Sequence, residues 1–185
     1  MVKRLKWMFA WLIGHIFYKG KFLKGRHFSS PNGHGWSWIM RNCFIQKIIG
    51  INRSAPFPID FRTKVPNWKN IDFDLDDMNI FQKVGNYYQA SDAVIHIGRG
   101  TQIANGVAII TANHDLADIT VHSAGKDVYI GKECWIGSNA VILPGVHLGD
   151  HTIVGAGAVV TKSFPDGWCV IGGVPAKVIK GIEKR

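Results

Sequence analysis

One aliphatic residue returns at every sixth position along two stretches of the chain, 97–109 and 130–160. A period of six matches neither the 3.6-residue period of a helix nor the two-residue alternation of an isolated strand. It is typical of a coil in which a short strand and a corner repeat, with three sides to a turn and aliphatic side chains stacked inside. The positions that carry the period are Ile97, Ile103, Ile109, Ile130, Ile136, Ile142, Leu148, Val154 and Val160.

Two further regularities accompany this period. Glycine follows the aliphatic residue at positions 98, 131, 137, 149 and 155, and a small or β-branched residue stands four positions after it at Cys134, Ala140, Val146, Thr152 and Ala158. A chain that turns a corner every six residues needs positions at positive φ or without a Cβ, and glycine supplies both. The pattern therefore predicts a parallel β-helix whose aliphatic ladder is the main core.

The period breaks once, between Ile109 and Ile130, which are twenty-one residues apart. Such a phase slip in a strict repeat indicates a loop, 110–129, that is pushed out of the coil. Loops that project from rigid scaffolds commonly carry function. The loop opens with Thr111-Ala112-Asn113-His114-Asp115.

Four segments, Ile130–Ser138, Ile142–Val146, Val154–Lys162 and Gly172–Ile179, resemble the hexapeptide-repeat acyltransferases, in particular the galactoside, maltose, nodulation-factor and polysaccharide O-acetyltransferases. The resemblance covers about residues 85–180. It implies a left-handed parallel β-helix, acetyl-coenzyme A as donor and a homotrimer with active sites between subunits. We therefore expect an all-β fold with an N-terminal helical or irregular extension at 1–80, the β-helix at 81–164 and a closing segment at 165–185.

Acetyl transfer to a hydroxyl needs a base, and imidazole, with a reference pKa of about 6.5, suits that task at neutral pH. His114 opens the loop and matches the loop histidine that the family uses as general base. His96, His147 and His151 fall at outward positions of regular coils, where a solvated role is expected, and His122 closes the loop. A base also needs an orienting partner.

Two carboxylates are candidates for that partner. Asp115 is adjacent to His114, although neighbours in an extended segment point apart. Asp92 lies one coil earlier, near the place where the family holds an acceptor-binding polar residue. The family's asparagine at that place falls at about Ala90 here, so the acceptor's identity stays open. We take His114 and Asp92 as the candidate catalytic residues.

The resemblance also implies a donor site. Trp135 would lie beside the acetyl and pantetheine end, Ser138 would line the same cleft, and the backbone at Ala156 and Thr161 would bind the pantetheine amides. Trp135 could instead be a contact between subunits. The phosphates of coenzyme A call for a cationic rim, for which Lys162, Lys177 and Lys180 match; relatives often have arginine at the last two places, and lysine binds phosphate as a point charge.

The net charge of +9 is unevenly distributed. Residues 1–59 hold ten Lys or Arg and no Asp or Glu, whereas the remainder holds twelve basic and thirteen acidic residues. The apolar segment 7–18 is flanked by basic residues and is too short to span a bilayer. It predicts either a helix packed on the domain or trimer, or a peripheral contact with the inner membrane face. Residues 27–65 are also basic and rich in Trp, but they contain no recognisable nucleic-acid module, so nucleic acid is not an expected partner.

Three cysteines without framework spacing favour a reduced, cytoplasmic setting, and no metal is expected. The sequence thus predicts an acetyl-coenzyme A-dependent O-acetyltransferase that acts on a saccharide hydroxyl of a polysaccharide or glycolipid precursor. An N-acetyltransferase of an amino sugar or sugar nucleotide is the nearest alternative, since an amine would use the same base. A γ-type carbonic anhydrase, suggested by His122, His147 and His151, and a trimeric scaffold without catalysis are the remaining alternatives.

Overall fold

The computed structural model describes residues 2–184. Within this range, helices α1 (Val2–Phe17) and α2 (His34–Cys43) precede thirteen short strands. A π-helical turn, Phe44–Ile49, continues α2, and 3-10 helices occupy Gly20–Phe22, Trp68–Asn70 and Leu75–Gln82. The strands are β1 (Ile71–Phe73), β2 (Tyr87–Gln89), β3 (Ile95–Ile97), β4 (Gln102–Ile103), β5 (Ala108–Ile110), β6 (Val128–Ile130), β7 (Trp135–Ile136), β8 (Val141–Ile142), β9 (His147–Leu148), β10 (Ile153–Val154), β11 (Val159–Val160), β12 (Cys169–Gly172) and β13 (Lys177–Gly181).

The strands form three sheets, which are the three faces of a prism. The first face holds β1, β3, β6 and β9; the second holds β4, β7, β10 and β12; and the third holds β2, β5, β8 and β11. The chain visits the first, second and third face in turn, and neighbouring strands within each face are parallel. The hairpin strand β13 is the exception, because it lies antiparallel to β12. The expected fold class, a left-handed parallel β-helix with helices before it, is confirmed.

The register explains the six-residue period. Ile130 pairs with Leu148 on the first face, and Ile142 pairs with Val160 on the third, so one turn takes eighteen residues. All nine aliphatic residues of the predicted ladder are buried. The ladder also continues past Val160, because Ile171 on the second face pairs with Val154 and is buried.

The glycines of the repeat serve close approach between turns. A Cβ on Gly98 would lie 2.5 Å from the backbone carbon of Gly131, and one on Gly131 would lie 2.5 Å from the backbone nitrogen of Asp150. These two glycines do not have positive φ; that conformation falls two residues later, at Gly100 and Glu133. The missing Cβ is therefore what these positions require, and the corner itself accepts a residue other than glycine.

The first turn of the coil begins before residue 81. Strand β1 pairs with β3 on the first face, and the 3-10 helix at 75–82 lies beside β4 on the second face. A tyrosine fills one rung of this first turn. Tyr88 pairs with Ile109 and is fully buried, and its hydroxyl donates a hydrogen bond of 2.9 Å to the Ile80 carbonyl. That bond satisfies the polar end of an otherwise apolar rung.

The residues before β1 cover the open base of the coil. Phe57 is completely buried and contacts the rings of Phe22, Phe73 and Phe81. This aromatic cluster joins the N-terminal segment to the first turn, so the two share one core. None of the helices within residues 2–184 combines the length and hydropathy needed to cross a membrane.

Candidate functional site

The extruded loop connects β5 on the third face with β6 on the first. Ile97 and Ile130 are paired although thirty-three residues apart, whereas a regular turn takes eighteen, so the loop adds fifteen residues. Gln89 fixes its exit: the side-chain oxygen accepts hydrogen bonds from the backbone amides of Thr111 at 2.9 Å and Ala112 at 3.2 Å. A Cβ on Gly125 would lie 2.7 Å from the Asp92 backbone, so a glycine is needed where the loop returns.

The loop folds as a small hairpin. An antiparallel bridge joins His114 and His122, closed by hydrogen bonds from the Asp115 amide to the Val121 carbonyl and from the Ser123 amide to the Asn113 carbonyl, each 2.8 Å. The Asp115 carboxylate accepts hydrogen bonds from the backbone amides of the turn, which hold the pKa of Asp115 below its ordinary value. Asp115 therefore stabilises the turn rather than orienting His114.

The hairpin brings two histidines together. The rings of His114 and His122 meet edge to face with centroids 4.6 Å apart. The His122 Nδ1 atom lies 4.0 Å from a carboxylate oxygen of Asp92. The predicted partner Asp92 thus lies beside His122, and the structure links it to His114 only through that second imidazole.

A pocket of about 270 Å³ lies at the base of the hairpin, next to His114. Its wall comes partly from the loop and partly from Pro144, which stands at the corner after β8. Because β8 pairs with β11, the residues that follow β11 lie at the same corner one turn further on. Thr161 and Lys162 occupy that corner and are exposed. The lining residues are Asn113, His114, Leu116, Ser123, Ala124, Lys126 and Pro144.

The other predicted donor-site residues lie elsewhere on the prism. Ser138 and Ala156 occupy the corner between the second and third faces, after β7 and β10. Trp135 stands on the second face with 56% of its surface exposed, and Lys177 and Lys180 are on β13 at the end of that face. In a triangular prism the second face lies opposite the corner from which the His114 loop departs. One chain therefore does not bring His114 and Trp135 into one groove.

The three histidines that suggested a carbonic anhydrase have different neighbours. His122 lies beside Asp92, His147 beside the ring of Tyr129, and His151 beside Glu133 at 3.2 Å. Across residues 2–184, no group of three or more His, Cys, Asp or Glu side chains is placed to hold a metal ion.

Gln89 and Lys126 are site residues that the sequence reasoning missed. Gln89 directly follows the rung residue Tyr88 and pairs with Ile110 at the loop exit. That pair is twenty-one residues apart, whereas a regular turn takes eighteen, so the period of the repeat does not place Gln89 there. Lys126 brings a cation to the pocket and packs against Gly145, where a Cβ would lie 3.2 Å from its side chain. No sequence signal separates Lys126 from an ordinary surface lysine.

Known proteins that resemble this chain share its six-residue repeat. Residues 127–162 match the family model "Bacterial transferase hexapeptide (six repeats)". The chain is 33% identical to the galactoside O-acetyltransferase of Lactococcus lactis over 151 residues, 80% of this chain and 64% of that protein. It is 38% identical to a putative lipopolysaccharide biosynthesis O-acetyl transferase of Escherichia coli over 107 residues, 49% of this chain and 52% of that protein.

Among solved structures, a galactoside acetyltransferase in complex with coenzyme A superposes with a TM-score of 0.50 at 34% identity. The match covers 53% of this chain and 50% of that chain. This chain thus spans about half to two thirds of the length of the relatives it matches.

Proposed function

This chain belongs to the hexapeptide-repeat acyltransferase superfamily, and we propose that it transfers an acetyl group from acetyl-coenzyme A to a hydroxyl of a saccharide acceptor. The observation that carries the proposal is the hairpin, which holds an exposed imidazole, His114, at the rim of a pocket beside the cation of Lys126. The acetyltransferase names of the relatives support the same chemistry.

In this mechanism His114 is the general base. The imidazole takes the proton of the acceptor hydroxyl while that oxygen attacks the thioester carbonyl, and a tetrahedral oxyanion forms. The carbon–sulfur bond then breaks, and the imidazolium returns the proton to the departing sulfur. The products are an acetyl ester and the free thiol of coenzyme A. Lys126 stands near enough to the pocket to stabilise negative charge there.

Asp92 acts as a positioning residue in this proposal. Its carboxylate faces His122, and the His122 ring edge contacts His114. An acceptor in the pocket would compete with water for His114, so a fixed imidazole orientation favours proton transfer. Asp92 thus limits the orientation of the base through a neighbouring ring.

The donor site is proposed to form between subunits of a homotrimer. The second face exposes Trp135, Val178 and Ile179, and the hairpin tip exposes Leu116 and Ile119. Two apolar surfaces on one chain are covered if the hairpin of one subunit packs on the second face of the next. That arrangement places His114 of one subunit opposite Trp135 of its neighbour. Thr161 and Lys162 of the first subunit lie on the His114 side of that interface, and Ser138, Ala156, Lys177 and Lys180 of the neighbour lie on the Trp135 side. Both sets would then bind the donor along the groove between the subunits, with the lysines on its phosphates.

The acceptor is proposed to be a polysaccharide or glycolipid precursor, and thiol release from acetyl-coenzyme A tests it. A panel of hydroxylated sugars and glycosides should release thiol, and the product should carry an acetyl ester that mild base removes. Release with amino sugars alone, giving a base-stable amide, would make the enzyme an N-acetyltransferase. Failure of every acceptor together with failure to bind coenzyme A would contradict the proposed function.

A further inference from the structure

Helix α1 is apolar on both of its sides. Its inner side packs on α2, with Ala10 and Gly14 buried; a Cβ on Gly14 would lie 2.7 Å from Ile39. The outer side would normally be polar in a surface helix. Here it consists of apolar residues at helical spacing, all exposed: Leu5, Met8, Phe9, Leu12 and Ile16.

This outer side continues onto the second helix and its π-helical extension. Met40 of α2 lines the same groove as Leu5 and Phe9, a groove of about 870 Å³. Phe44 and Ile48 follow at four-residue spacing, with 64% and 54% of their surfaces exposed. We call the combined surface of α1, Met40, Phe44 and Ile48 the apolar helical face. Scattered exposed apolar residues need no explanation, but a contiguous set of this kind marks an interaction surface.

The charges around the apolar helical face have one sign. Arg4 and Lys6 lie at one end of α1, and Lys19, Lys21 and Lys24 follow its other end, all exposed. Within the described part of the chain, none of these five takes part in an ion pair with a carboxylate. No Asp or Glu occurs anywhere in residues 1–59. A partner that covers this face must therefore combine an apolar interior with negative charge at its border.

We propose that the apolar helical face docks on an anionic lipid bilayer. The outer side chains of α1 would enter the boundary between headgroups and acyl chains, while the lysines and arginines at its ends bind lipid phosphates. A helix of sixteen residues is about 24 Å long, so it lies in the plane of the surface rather than across the bilayer. A second copy of the chain fits less well, because it would bring two such basic segments together.

The test is co-sedimentation of the full chain with vesicles, some of phosphatidylcholine alone and others of phosphatidylcholine mixed with phosphatidylglycerol. We expect binding to the anionic vesicles that weakens as salt is added. The double variant Phe9→Ser/Leu12→Ser should lose at least about tenfold in vesicle affinity, since two buried side chains are removed. Val84→Ser, a matched change of an exposed residue outside the face, should bind like the wild type.

The charge is tested separately with Lys19→Glu/Lys21→Glu, which should lose about tenfold on anionic vesicles, whereas Lys132→Glu on the coil should not. No binding by the wild type, equal binding to both vesicle types, or full binding by Phe9→Ser/Leu12→Ser would each overturn the proposal. Light scattering shows whether the serine variant changes the oligomer; a change without vesicle binding would assign the face to a second copy. Thiol release with a soluble acceptor should be unchanged in that variant, because no residue of α1 or α2 lines the pocket beside His114.

Discussion

At the level of single residues, backbone hydrogen bonds across the hairpin fix the position of His114. Hydrogen bonds across the hairpin hold Asn113 and Asp115 on either side of it, and the side chain stays exposed at the pocket rim. The break in the six-residue period locates the loop that begins near His114, because a strict repeat shows where the chain leaves it, and the resemblance to the acyltransferases proposes His114 as the base. The proximity of His122 to both His114 and Asp92 could not be found in this way. It depends on the register of the hairpin, which no period encodes.

Replacement of His114 by alanine should lower kcat for acetyl transfer by about 10²–10⁴-fold, the usual contribution of a general base. Coenzyme A affinity, measured by calorimetry, should change little, because the imidazole acts on the acceptor proton. His147→Ala is the control, since that exposed histidine lies on a regular strand; its activity should stay close to wild type. Equal activity of the two variants would remove His114 from the mechanism.

At the scale of elements, a buried carboxylate joins the N-terminal segment to the coil. Asp60 is fully buried and accepts hydrogen bonds from the Arg62 guanidinium at 2.9 and 3.0 Å. The Arg41 guanidinium of α2 lies 3.3 Å from the Asp60 carboxylate. The backbone amide of Asp60 donates a hydrogen bond to the Phe81 carbonyl. Burial by itself would raise the pKa of Asp60, but the hydrogen bonds and charge of Arg62, with the charge of Arg41, outweigh it and hold that pKa below its ordinary value.

Because the folded state favours the ionised form of Asp60, its contribution to stability is present above the ordinary carboxyl pKa and is lost as pH falls through the lowered value. Asp60→Asn should therefore cost about 1–3 kcal/mol in the free energy of unfolding at neutral pH. The difference from wild type should shrink below about pH 4. Urea unfolding across a pH series measures this. The control Asp166→Asn changes an exposed carboxylate and should unfold with the same free energy as the wild type. A loss of stability in Asp60→Asn that does not change with pH would contradict the account.

The turns of the coil differ in how well the sequence predicts them. The regular turns from Ile97 to Val160 could be predicted because their rungs need the same residue types, a buried aliphatic residue and, at most of them, a glycine directly after it. The first turn could not, because Tyr88 fills its rung with an aromatic ring and a 3-10 helix takes the place of a strand on the second face. The N-terminal segment and that turn share one core through contacts between residues distant in sequence, such as Phe57 with Phe81. A local sequence pattern does not predict such contacts.

At the scale of the whole molecule, the proposed site is divided between two sides of the prism. The base leaves from the corner between the third and first faces, while Trp135 and β13 lie on the second. The sequence could name these residues by resemblance, but their separation on one chain emerges only from the fold. We therefore expect a complete acetyl transfer site only where two subunits meet.

Mixing of two inactive variants tests whether both subunits contribute to the site. His114→Ala and Trp135→Ala homotrimers should each release little thiol from acetyl-coenzyme A in the presence of a saccharide acceptor. Trimers assembled from both variants together should recover activity, because some interfaces then pair an intact His114 with an intact Trp135. Activity of the mixture no greater than that of the separate variants, or full activity of Trp135→Ala alone, would contradict the account.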